Sequence, residues 1–524
     1  MTAWRNWPAM ALGLATILLI VPLWCVHSPG MPDYPAHIAG FYMIAGGART
    51  TPLSTYYDIH WTLVPNLASE LAVPVLMKFL PLEVAAKLFL SVAVGLWTLG
   101  PAAIQRALFG RVGVASLAAA FFAYNANYTW GFFNYYFAAG LSFVVFAAWI
   151  ASAGRCNTLR VLGFTLAICV LYLCHLVAVF ILGVLIFCYE LSQVIEERDF
   201  AIKALFFRAL PVGLIFLPAA SAFLFFKPTG GEGGKLAFDF TDTIGDRLAS
   251  TIQYAYSEPA YLLIGALAVL VLAGLMYDKL RIHPSMKILV LVLAVLTVVS
   301  PEWALGGWGV HLRLPAVLGA MLFATMELRV GPRSKALVAA ALLLSAVWIS
   351  TALARSWRGY DRQYSEFRAA LHQVPEGTRL VTVLDSDSLD YSPDVTVPDQ
   401  PYWHMAEFAI VDRDAFTPLM FATKGQHIVQ VKPPYDNFAA KTAQQGSPPD
   451  VSDLSDLSTG NVVDDPDIAE TFPYLKFFQC HFNMAVVIRG KGAPSDVPDF
   501  LTLRHQGSFF ALYDIQPTKA CARK

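Results

Sequence analysis

At 524 residues, with 56% hydrophobic and only 14% charged residues, the chain is too apolar for an ordinary soluble globular protein. Its mean hydropathy of +0.53 agrees, and a net charge of −1 supplies neither a nucleic-acid-binding field nor a polybasic membrane-surface patch. Apolar runs follow one another from Met1 to about Leu353, and the composition becomes polar from Ser356 to Lys524. This shift predicts a polytopic α-helical membrane domain over 1–355 and a soluble C-terminal domain over 356–524.

The first apolar run, Pro8 to Cys25, follows Arg5 and is not followed by a small-residue cleavage site, so it reads as an uncleaved signal-anchor. A long loop, 26–80, comes next. Further spans are expected near 81–104, 112–126, 132–153, 159–174, 176–192, 208–226, 259–277, 287–300, 312–328 and 335–354, which makes about eleven. The run from Val161 to Leu191 is too long for one helix of ordinary tilt and divides best at Cys174-His175.

Charge asymmetry orients these spans. Arg5, Arg106, Arg111, Arg155, Arg160, Arg198, Lys203, Arg208, Lys279, Arg281, Lys287, Arg329, Arg333 and Lys335 fall on one side. Only Arg49, Lys227, Lys235, Arg247 and Arg313 fall in the opposite loops. The bias places the N-terminus in the cytoplasm and the C-terminal domain outside, periplasmic in a bacterial-type inner membrane.

Acids, imidazoles and glycines then gather on the outer face. The first loop opens with Met31-Pro32-Asp33-Tyr34-Pro35-Ala36-His37, stiffened by its prolines, and continues to the polar-aromatic patch Tyr56-Tyr57-Asp58-Ile59-His60-Trp61 and to Glu70. Asp33 reads either as a helix N-cap or as a general base that accepts a proton from an acceptor hydroxyl. His37 could orient that carboxylate, bind a phosphate oxygen or help hold a divalent metal. Asp58 and His60 are candidates for the same site. His175 is either a cavity-lining residue or a turn reaching the interface. His311 and Arg313, near Trp303 and Trp308, read as interfacial anchors or as a phosphate-binding pair. Gly230, Gly231, Gly233 and Gly234 do not match a phosphate-binding loop and mark a flexible outer loop, together with Asp239, Asp242 and Asp246.

In the soluble part, helical spacing runs from Arg358 to Gln373, and strands are expected at Arg379–Leu384, Phe408–Val411, Ile428–Val431, Met484–Ile488 and Phe509–Tyr513. That order suggests a small α/β or α+β layer domain. Ala443 to Asp467 reads as a polar loop. Tyr402, Trp403, His404 and Glu407 read as core packing in preference to a glycan-binding patch. Cys480 and Cys521 are a candidate disulfide in an oxidising compartment, and there is no C-x-x-C metal pattern.

An outer loop that opens on an acid and runs into a helix, in a chain of this many spans with an external C-terminal domain, resembles the GT-C glycosyltransferases. The protein O-mannosyltransferases and lipid A aminoarabinose transferases are the nearest comparisons. Their motif, an acidic pair followed by His or Tyr, is matched by Asp33-Tyr34-Pro35-Ala36-His37. Tyr34 replaces the second acid, which leaves Asp58 to supply it. The resemblance implies a catalytic base at Asp33 and a polyprenyl-phosphate-linked sugar donor on the external face. The expected activity is therefore inverting sugar transfer to a glycan, lipid or protein acceptor. Asp33, His37, Asp58 and His60 would do the chemistry, and His175, His311 and Arg313 would bind substrate. A non-enzymatic transporter or polysaccharide export component is the alternative, although no internal repeat supports it. A polymerase or ligase would be expected to carry more external arginine.

Overall fold

A computed structural model of the chain describes residues 6–154, 158–198, 200–226, 236–238, 244–304, 307–390, 398–440, 447–459, 473–490, 497–518 and 521. Arg5, Arg155, Lys227, Gly230, Gly231, Gly233, Gly234, Lys235, Asp239, Asp242 and parts of the 443–467 stretch lie outside the described residues. The chain forms two compact units. The first comprises Met1–Cys25, Leu63–Leu71 and Lys87–Arg355, and the second Val26–Thr62, Ala72–Ala86 and Ser356–Lys524.

The first unit is helical. Among the described residues, six helices are long and apolar enough to cross a membrane: Trp7–Trp24, Leu82–Phe109, Phe133–Ala151, Leu176–Glu197, Ile202–Phe226 and the helix that begins at Pro332. Four shorter apolar helices cover Thr158–Cys174, Tyr261–Met276, Lys287–Val299 and Arg313–Ala324. Trp7–Trp24 shows the two-faced pattern that lipid demands. Leu12, Leu19 and Leu23 are buried, while Met10, Leu14, Ile17 and Val21 point outward at helical spacing. Ile202–Phe226 carries its apolar side chains almost entirely on the outside. Phe133–Ala151 is at the other extreme, buried on nearly every side.

Helix packing there depends on close backbone approach. A Cβ added at Gly140 would lie 2.8 Å from Leu96 Cβ, and one at Gly100 would lie 2.8 Å from Phe143 Cβ. The same contact stacks the Trp97 and Tyr136 rings at 5.2 Å, and Trp97 Nε1 donates to the Tyr136 carbonyl at 2.7 Å.

The 161–191 run does divide at His175, into Thr158–Cys174 and Leu176–Glu197. The run expected over 112–126 is instead a short helix, Ala115–Ala120, a 3-10 turn, Phe121–Ala123, and a further short helix, Ala126–Trp130. Asn125 causes the break. Its side-chain oxygen accepts from the Asn127 and Tyr128 amides and so starts a new helix, which Gly131 then ends at a φ of 95°.

The second unit has a four-stranded sheet. Its order is Leu380–Leu384, Met484–Ile488, Phe510–Ile515, Leu501–Gln506, with the first pair parallel and the others antiparallel. The edge strand Leu501–Gln506 is too polar to have stood out in the sequence. Phe408–Val411, expected as a strand, lies in a helix, Phe408–Arg413. A short apolar run has no periodicity to separate the two states, and here one face packs on the helix Tyr34–Ala45. The span expected at 335–354 and the helix expected at 358–373 are one continuous helix, Pro332–Ala370. Beyond Ser356 it buries Trp357, Tyr360, Tyr364 and Phe367, a stripe at three- and four-residue spacing that needs no break. Cys480 and Cys521 are disulfide-bonded, with their Cα atoms 5.3 Å apart.

Parts of the first loop belong to this second unit. Tyr57–Ile59 pairs antiparallel with Val429–Val431. The amides of His27 and Ser28 donate to the Asp361 carboxylate at 3.0 and 2.8 Å. Arg368 pairs with both Asp412 oxygens and with Glu83 Oε1.

Gly140→Val should lower the thermal stability of the detergent-solubilised protein by about 1–3 kcal/mol through overpacking. Gly163→Ala, where an added Cβ meets nothing within 4 Å, should leave it unchanged or raise it slightly. Equal stability of Gly140→Val and wild type would mean that these helices do not approach as described.

Candidate functional site

Two clusters of polar side chains stand out, one in each unit. In the second unit the helix Tyr34–Ala45 is buried along most of its length, and Pro35 in its first turn and Gly46 at φ 139° set its ends. Asp33 occupies the N-cap position, but its side chain makes no cap hydrogen bond. Asp33 as a residue is half-buried, and burial of its carboxyl pushes it up to about 7, with the charge of His404 working in the opposite direction. An N-cap that does not cap leaves this acid uncommitted.

Around it, His37 stacks on Phe41 at 5.9 Å and meets the Phe421 ring edge-on at 5.4 Å. Phe421 also contacts His404, at 5.0 Å, and stacks on His427, at 5.5 Å. His404 Nδ1 lies 3.8 Å from Glu407 Oε1, and both side chains are buried. Asp58 and His60 are 3.4 Å apart, but both are more than half exposed. An ion pair so wet contributes little. The strand Tyr57–Ile59 holds them beside Val429–Val431.

In the first unit, Arg313 opens the helix Arg313–Ala324 and is buried. Its Nη2 donates to the Trp308 carbonyl at 3.1 Å, its Nε has no hydrogen-bond partner, and no carboxylate pairs with it among the described residues. Aromatic rings line it instead: the guanidinium lies 5.6 Å from the Phe132 ring and 5.1 Å from that of Tyr135. Tyr135 also meets the His175 ring edge-on at 5.4 Å. His175 caps the helix Leu176–Glu197, its Nδ1 accepting the Val177 amide at 3.2 Å. That bond leaves Nε2 as the nitrogen able to carry a proton towards a ligand. His311 is buried next to Trp308, ring to ring at 6.1 Å.

Glu70, which the sequence placed only among the acids of the outer loop, is bonded to Asn134, the residue before Tyr135. Its Oε2 accepts from Asn134 Nδ2 at 2.8 Å, and Ser69 Oγ is 3.0 Å away. Asn134 in turn accepts the Ser69 amide at 2.7 Å. Burial pushes the Glu70 carboxyl up to about 7 against these hydrogen bonds. A lone acid in an apolar stretch, Leu67 to Leu76, was the available signal. Asp361 gave no such signal, because the amides it holds lie more than 300 residues away in the chain; His404 and Glu407 read only as core packing.

Asp33, His37, Asp58 and His60 thus belong to one unit, and His175, His311 and Arg313 to the other. Among the described residues there is no group of three or more His, Cys, Asp or Glu arranged to hold a metal ion.

No family model matches the sequence, and no curated protein matches it. Solved structures do. ArnT from Cupriavidus metallidurans, bound to undecaprenyl phosphate, aligns over 97% of this chain and 98% of its own, with a TM-score of 0.55 and 12% identity. Arabinofuranosyltransferase AftD from mycobacteria aligns over 98% of this chain and 40% of its own, with a TM-score of 0.49 and 14% identity. The fold is GT-C-like.

Glu70 gives a stability test. Its folded value, about 7, lies above the ordinary 4.5, so its contribution is complete below about 4.5 and is lost as pH rises towards 7. Glu70→Gln should therefore gain thermal stability relative to wild type between pH 5 and pH 8. A difference that stays flat over that interval would show that Glu70 is not desolvated.

Proposed function

We propose that this protein is a multi-pass membrane glycosyltransferase of the GT-C type, with about eleven spans, a cytoplasmic N-terminus and residues 356–524 on the external face of a bacterial-type inner membrane. It moves a sugar, with inversion, from a polyprenyl-phosphate donor to a glycan, lipid or protein acceptor. The observation that carries this reading is the uncommitted, poorly hydrated carboxyl of Asp33 at the head of a buried helix. The likeness in fold to ArnT, whose structure holds undecaprenyl phosphate, supplies the donor class.

The reaction is a single displacement. The acceptor oxygen attacks the anomeric carbon and gives its proton to Asp33, while the bond from that carbon to the phosphate oxygen breaks and polyprenyl phosphate leaves. Charge develops on the leaving phosphate, so a preplaced cation lowers the barrier more than it tightens ground-state binding. Arg313, in the first unit, suits the binding of a phosphate because no carboxylate pairs with its fork among the described residues. His175, with Nε2 uncommitted by the cap bond, offers a second donor. His37 shapes the surroundings of Asp33 through its ring contacts.

Asp33→Asn should reduce transfer in reconstituted membranes by about 10²–10⁴-fold with expression and folding retained. In the wild type, the rate should fall about tenfold per unit as pH drops below about 7, because the base works deprotonated. Retained transfer in the folded Asn variant would remove Asp33 from the role. Arg313→Gln should weaken donor use about 10–100-fold, the scale of one charge-assisted contact. Unchanged donor kinetics would place the phosphate elsewhere.

A further inference from the structure

Glu407 has no exposed surface, its Oε2 has no hydrogen-bond partner, and its Oε1 accepts only from Thr417 Oγ1, at 3.3 Å; His404 Nδ1, itself without a hydrogen-bond partner, lies 3.8 Å from Oε1, at ion-pair distance. A carboxylate in that position is costly unless a cation accompanies it. Among the described residues no lysine or arginine pairs with it, and the imidazole three residues earlier is its one ion-pair partner. The same imidazole packs on Phe421, the ring that also contacts His37 in the first turn after Asp33. These residues all belong to the second unit.

We propose that the buried His404–Glu407 pair is the counter-charge of Asp33: Glu407 holds His404 protonated, and the imidazolium stabilises the ionised base. His404 is then a positioning residue, acting through Asp33 and not on substrate. The proposal rests on the reading of Asp33 as base, but no part of the Asp33–His37 motif contains these two residues.

The surroundings assign the positive charge to His404. Asp33 acts on it from the cap of the helix Tyr34–Ala45, Glu407 from its own turn, and the Leu419 backbone and the Phe421 ring from the segment that follows; His37 and His427 touch that same ring, and Thr417 touches Glu407. Tyr57 and Tyr474 complete the neighbourhood of Glu407. Burial holds His427 neutral, down to about 4. Burial opposes a charge on His404 as well, but Glu407 and then Asp33 outweigh it and raise the imidazole above its ordinary range. Asp33 reciprocates: its carboxyl would stand higher still without the charge of His404.

The test reads the proton on Asp33 directly. Full-length protein in nanodiscs is treated with a water-soluble carbodiimide and glycine ethyl ester across pH 5–9, and labelling of the Asp33 peptide is followed by mass spectrometry. The reagent modifies the protonated acid, so the midpoint reports its ionisation whether or not transfer occurs. In His404→Gln the midpoint should rise by about one pH unit or more, the scale of losing a nearby opposite charge. Glu407→Gln should shift it in the same direction by less, and His404→Lys should restore the wild-type midpoint.

An unchanged midpoint in folded His404→Gln overturns the proposal. If that variant does not fold, an unchanged midpoint in Glu407→Gln does so. A shifted midpoint in a protein that transfers no sugar would support the pair and contradict the glycosyltransferase reading. An unshifted midpoint in a protein that needs Asp33 for transfer would do the reverse.

Discussion

Two backbone amides, those of His27 and Ser28, are held by a single carboxylate, Asp361, and the placement of the first loop follows from that clamp. Hydrogen bonds to an ionised acceptor are roughly twice as strong as neutral ones. Just beyond the clamp the chain passes so close to Tyr360 that a Cβ at Gly30 would collide with its ring. The chain then enters the helix Tyr34–Ala45, buried against residues more than 360 positions later. Asp33 has its environment because of this anchoring, not because of its own hydrogen bonds.

Both clusters share one electrostatic feature. Each keeps a charge-bearing group out of water without giving it a full partner, Asp33 in one and Arg313 in the other. Stability alone would favour pairing such groups or replacing them with apolar ones. Locally unfavourable charge of this kind is what a site that handles protons and phosphates needs, since a transferable proton or an arriving anion completes it. The exposed Asp58–His60 pair lacks this property, and its geometry gives it no comparable task.

Local features were legible in the sequence because local physics sets them. The break at His175 follows from an apolar run longer than one crossing, ended by a residue able to cap the next helix. The buried strands Leu380–Leu384 and Met484–Ile488 are β-branched and aliphatic, so both could be anticipated as strands, although not their parallel pairing. Short ambiguous segments were not legible: Phe408–Arg413 is a helix because tertiary packing decides where periodicity is silent. Neither was the break at Asn125, where one capping side chain outweighs a continuous apolar composition. Contacts between distant parts of the chain were hidden for a different reason. Nothing in Asp33 or Glu83 announces His404 or Arg368 as a neighbour, since a single sequence carries no record of which distant residues meet.

The account's central claim, that this chain handles a polyprenyl phosphate, is tested most directly by imaging the full-length protein in nanodiscs with undecaprenyl phosphate by electron cryomicroscopy. The account predicts phosphate density within hydrogen-bond distance of the Arg313 guanidinium, with the His175 imidazole facing it. A well-ordered lipid phosphate bound elsewhere, with Arg313 left in its aromatic surroundings and uncontacted, would contradict it.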